Sequence, residues 1–146
     1  MSMNASLSNA LIHQKLKLIL TDLERLDVLL HQRSYEQLVS DEAMSSLAER
    51  RLERVINRAI DVNLHLLRSV GSPPPNDYTH SFLDLATVGI LTPALAQGLA
   101  PCVGVRNILT HEYDDLDMKQ FFSSLQHAVR LFPNYAREIE RFIEKG

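Results

Sequence analysis

The sequence predicts an all-α protein, an antiparallel bundle of four to five main helices, and three observations carry that expectation. Apolar residues recur every three to four positions along most of the chain, and no segment shows the sustained alternation a strand needs. The composition is 45% hydrophobic with no Trp and only 6% aromatic residues, which suits helices packed through aliphatic side chains. The periodic segments are separated by short connections, which make neighbouring helices antiparallel. A chain of 146 residues is one domain by size, residues 1–146. A domain of this length buries roughly 68–70% of its unfolded surface, enough for a stable core.

The first helix is expected over residues 7 to 32, where Leu7, Leu11, Leu18, Leu23, Leu26 and Leu30 form an apolar stripe. A short break follows near Gln32 to Tyr35. The second helix begins near Asp41, with Met44, Ala48, Leu52, Val55, Ala59, Val62, Leu66 and Val70 as its core face, and ends at Gly71. Gly71 can take a positive φ, and Pro73, Pro74 and Pro75 cannot continue a helix. A short helix covers residues 80 to 88 and stops at Gly89. Thr92 and Pro93 are suited to the N-cap and first position of the next helix. Pro101, flanked by Gly98 and Gly104, kinks or splits that helix around residues 98 to 101. The small residues Ala100, Cys102 and Gly104 would let another helix approach closely. Asp117 caps a last helix reaching Lys145, with Phe121, Phe122, Leu125, Val129 and Phe132 buried and a bend expected at Pro133.

Charge and composition narrow the function classes. A net charge of −3 argues against a general nucleic-acid binder, since sequence-independent affinity comes from neutralising many phosphates. Any RNA contact must be local, and no DNA binding is expected. Arg50, Arg54 and Arg58 share a helical stripe, but Glu49 and Glu53 beside them make it read as a solvated face. The single Cys102 excludes an internal disulfide. Lys15, Lys17, Asp22 and Glu24 interrupt any early apolar run, so neither export nor a membrane span is expected and the protein is placed in the cytoplasm. His13, His31, His80 and His127 show no ligand spacing with each other or with a Cys, and no metal is assigned.

One patch carries chemistry. Arg106, Asn107, His111 and Tyr113 put a cation, an amide, an imidazole and a phenol within eight residues. Arginine is permanently charged and matches phosphate oxygens with a planar fork of donors, and histidine exchanges protons near neutral pH. Together they can cleave RNA with neither metal nor cofactor, because RNA carries its own 2′-hydroxyl nucleophile. On a continuous helix Asn107 and His111 share a face, whereas Arg106 and His111 diverge by about 140°. Both meet one phosphate only if the helix ends near Thr110 or His111, or if a second copy of the chain completes the site. Asp61, in the second helix, has two readings: a local ion pair with Arg58 three residues earlier, or a support for the site. Tyr113, taken by itself, reads as an aromatic closing the helix end.

The spacing R-x4-H-x-Y from Arg106 to Tyr113 resembles the signature of the HepT toxins, helical ribonucleases of the HEPN superfamily. Segments around Ala59-Ile60-Asp61, Asn63 and His65, the Pro-rich loop with Tyr78, Phe82-Leu83, Leu85 and Gly89-Ile90-Leu91 resemble that family in the same order. The resemblance implies a HEPN-like bundle and the toxin half of a toxin–antitoxin pair, an endoribonuclease with Arg106, His111 and Asn107 at a homodimer interface. It further implies Asp61 as a support for Arg106 and a nucleotidyltransferase antitoxin of the MntA type as partner. That partner would inactivate the nuclease by transferring AMP from ATP to Tyr113. From a different class, a non-catalytic helical module that binds a nucleotide or a nucleotidyltransferase would need only Arg106 exposed.

Overall fold

A computed structural model describes residues 3–110 and 117–145. Its helices are α1 (Met3–Gln32), α2 (Tyr35–Ser40), α3 (Glu42–Ser69), α4 (Tyr78–Thr87), α5 (Pro93–Leu99), α6 (Cys102–Thr110) and α7 (Met118–Lys145). No strand occurs among the described residues. The long helices α1, α3 and α7 form the frame, α1 packing against both others. Cross-helix pairs give the directions. Lys15 meets Asp61 and Asp22 meets Arg54 and Arg58, while His13 meets Glu140 and the ring of Tyr35 meets that of Phe122. Hence α3 and α7 both run antiparallel to α1.

Local chemistry sets the boundaries. α1 ends at Gln32 and the expected break follows, but residues for which no element is expected then form α2, whose capping box has Ser34 accepting from the Gln37 N–H while the Gln37 side chain accepts from the Ser34 N–H. At the end of α3, Gly71 has φ 75°, and the Gly71 and Ser72 N–H groups donate to the carbonyls of Arg68 and Leu67. The same closure recurs after α4, with Gly89 at φ 82°. α4 starts two residues earlier than expected because Asp77 caps it, accepting from the His80 N–H at 2.7 Å. Thr92 stands at the N-cap of α5, but its side chain does not cap: its N–H and hydroxyl both turn to Glu138 on α7. Pro101 divides the motif helix into α5 and α6, and His127 braces the division by bonding the Gly98 carbonyl through Nε2 at 2.8 Å. Asp117 accepts from the N–H groups of Lys119 and Gln120 at the head of α7, and that helix continues through Pro133.

Two internal polar arrangements lock the bundle. Asp22 on α1 has a side chain only 4% exposed and receives Arg54 and Arg58 at 2.9 and 2.8 Å. The stripe expected as a solvated face thus turns two of its arginines onto a buried carboxylate, since an unpaired charge there would be costly. The second arrangement starts at Tyr135, fully buried among Phe82 and Phe132. Its hydroxyl directs one proton between the Ala59 carbonyl at 3.0 Å and Asn63 Oδ1 at 2.6 Å. Asn63 donates to Ser81, and Ser81 donates to the Tyr78 carbonyl at 2.6 Å. This chain ties α7, α3 and the first turn of α4 together. Asn63→Ala removes its central member from a site with no solvent access and is expected to cost about 1–3 kcal/mol. Urea unfolding checks it through a lower midpoint at unchanged slope.

Candidate active site

The site is built on α6, which packs on α3 and α4. Arg106 and Asn107 stand on it side by side, Arg106 half-buried and Asn107 exposed. The Arg106 guanidinium carbon lies 5.2 Å from the ring centroid of Tyr78, and its Nη2 donates to Asn107 Oδ1 at 2.6 Å. No ion pair between described residues includes Arg106, and its buried Nε has no hydrogen-bond partner. Among the described residues its positive charge is therefore held by an aromatic face and a neutral amide, with no carboxylate paired to it. That is the condition under which an arginine keeps its full attraction for an incoming phosphate.

Asn107 turns its amide oxygen to Arg106. α6 is described as far as Thr110; His111 and Tyr113 lie outside the described residues. Asp61 is not brought to Arg106. Its carboxylate, 60% exposed, pairs with Lys15 on α1 at 3.5 Å. Nor does it pair with Arg58, because the buried Asp22 takes that cation. Tyr78 was legible only as part of the Pro-rich segment, since its contact with Arg106 spans two helices.

Neighbouring groups do not compete for this chemistry. Burial pushes the Cys102 thiol up to about 12 against the lowering pull of Arg106, so it is neutral at physiological pH and a poor nucleophile. Burial likewise holds the Tyr135 phenol neutral. Among the described residues no group of His, Cys, Asp or Glu is gathered to hold a metal, and no helix is long and apolar enough to cross a membrane.

Gly104 is exposed, and a Cβ built there would meet nothing within 4 Å among the described residues of its own chain. Within the chain a close approach occurs at Gly98, where a Cβ would stand 3.0 Å from Leu131 of α7.

Comparisons with known proteins converge on the same chemistry. A family model described as Ribonuclease HepT-like matches residues 19–145. A tRNA nuclease HepT of Aphanizomenon flos-aquae is 36% identical over 118 residues, covering 77% of this chain and 80% of that protein. An mRNA nuclease HepT of Shewanella oneidensis is 30% identical over 84 residues, covering 58% of this chain and 63% of the relative. Among solved structures, a tri-AMPylated Shewanella oneidensis HEPN toxin in complex with its MNT antitoxin superposes with a TM-score of 0.80 at 25% identity. That match covers 89% of this chain and 96% of the toxin.

Proposed function

The chain belongs to the HepT-like ribonuclease family, and from that premise we propose that it is the toxin of a toxin–antitoxin pair, an endoribonuclease needing no metal. The observation that carries the reading is Arg106 on the motif helix, its guanidinium held by the Tyr78 ring and the Asn107 amide with no carboxylate paired to it among the described residues. In the reaction the 2′-oxygen of a ribose attacks the adjacent phosphorus while His111 moves its proton. The phosphorus–5′-oxygen bond breaks and the leaving oxygen takes up a proton, giving a 2′,3′-cyclic phosphate and a 5′-hydroxyl. Arg106 stabilises the charge that grows on the non-bridging oxygens, and Asn107 keeps the guanidinium oriented.

The active form is a homodimer in which two α6 segments meet and complete each other's sites. Two considerations favour this: the sequence spacing, which on a continuous helix would turn Arg106 and His111 about 140° apart, and the space around Gly104, where a Cβ meets nothing within 4 Å among the described residues. At Gly104 a Cβ meets nothing within 4 Å among the described residues, so the expected cost of Gly104→Leu, roughly 1–3 kcal/mol, falls mainly on the dimer. Light scattering coupled to size exclusion reads the shift toward monomer, and unchanged circular dichroism shows that the fold survives. A dimer as tight as the wild type removes this interface.

The partner is a nucleotidyltransferase antitoxin, a reading supported by the MNT antitoxin bound to the related toxin. Producing the chain alone in a bacterial host is expected to arrest growth and create new RNA ends, and producing the partner with it restores growth. Growth curves with RNA end mapping decide it; arrest without new ends removes the ribonuclease reading.

A further inference from the structure

A cavity of about 710 Å³ opens between the last turns of α3 and the Pro-rich loop before α4. Its size lies in the range of small-ligand sites. Leu64, Leu67, Pro74 and Pro75 supply apolar walls, and Arg68 and Asn76 put polar groups among them. Tyr78, 45% exposed, lines the same cavity and also carries the Arg106 guanidinium at 5.2 Å from its ring centroid. One ring therefore joins a cation suited to phosphate and a hollow suited to a flat body with polar edges. RNA presents those two groups within one nucleotide. Proteins that read single-stranded RNA do so by stacking splayed bases on aromatic rings and bonding their edges.

We propose that this cavity is a nucleobase subsite, taking the unpaired base next to the phosphate held by Arg106 and so biasing where the RNA is cut. This rests on the ribonuclease reading. The buried chain from Tyr135 through Asn63 and Ser81 ends on the Tyr78 carbonyl, which fixes the turn bearing the ring before any ligand arrives. Asp77, on the cavity rim, accepts from the His80 N–H and ring through Oδ1, and these bonds hold its carboxyl below the usual range. The rim thus offers an anionic acceptor beside the donors of Arg68 and Asn76, a set that distinguishes base edges.

The test is cleavage of an RNA pool randomised around a single-stranded segment, with ends mapped by sequencing, for wild type, Ser72→Phe and Asn76→Ala. Ser72→Phe fills the hollow, and Asn76→Ala removes one exposed polar group with little risk to the fold. The wild type is expected to show about a tenfold preference at one position beside the cut. Both variants should flatten that preference while remaining folded by circular dichroism. Folded variants that keep the wild-type profile overturn the subsite alone. A wild type that cuts no RNA overturns the ribonuclease reading and the subsite with it.

Discussion

Arg106→Ala and His111→Ala are each expected to lower RNA cleavage on the order of 10²-fold or more while leaving the bundle folded. For Arg106 the reason is geometric as well as electrostatic. Its guanidinium rests on Tyr78 and is steered by Asn107, so a phosphate oxygen meets a pre-oriented charge that no carboxylate among the described residues pairs with. Alanine removes charge and fork together. Arg106→Lys retains the charge but loses the planar donors and the stacking, so it should recover only part of the rate. His111 is expected to match Arg106 because either proton transfer, from the 2′-hydroxyl or to the leaving oxygen, becomes unassisted without it. Initial rates on a defined RNA, beside circular dichroism and urea unfolding, give the answer. A folded variant with wild-type rate at either position would falsify the assigned role.

Attachment of AMP to Tyr113 is expected to silence the nuclease to a similar extent. The tyrosine oxygen attacks the α-phosphorus of ATP, pyrophosphate leaves, and the adenylate is joined through a phosphodiester. Tyr113 is seven residues beyond Arg106 in the sequence. A phosphate attached there is expected to compete with the substrate phosphate for Arg106 and to repel incoming RNA. Co-production with the partner nucleotidyltransferase should add at least one adenylate by intact mass, mapping to Tyr113 and absent there in Tyr113→Phe. That variant should stay toxic at partner levels that neutralise the wild type. Equal neutralisation of both would mean that inhibition comes from complex formation without the covalent step.

Much of this molecule was legible because its punctuation is local. Gly71 before three prolines, Thr92 before Pro93, and Pro101 within the motif helix act through their own backbone geometry, and each marks a boundary where it was expected. α2 was equally local: the Ser34 to Gln37 capping box is a sequence pattern, hidden only because six residues are too few for periodicity to register. What escaped is long-range. Arg54 and Arg58 reach Asp22 across 32 and 36 residues, and nothing in their own helix distinguishes them from a solvated stripe. The support for Arg106 was sought at Asp61, on the helix where an acidic residue stood, and found at Tyr78, a residue without charge on a different helix. Cation–π placement leaves no mark in charge patterning, so only the fold could reveal it.

The central claim is that this chain cuts RNA by using the substrate's own 2′-hydroxyl. Its most direct test is to incubate the purified protein, in excess chelator, with two oligonucleotides that differ only in a 2′-deoxy substitution at the mapped cleavage position. The expected result is cleavage of the all-ribose strand to a 2′,3′-cyclic phosphate and a 5′-hydroxyl, with the 2′-deoxy strand left intact at that position. Cleavage of the 2′-deoxy strand at the same position, or loss of all cleavage in chelator and its return with a divalent metal, would contradict it.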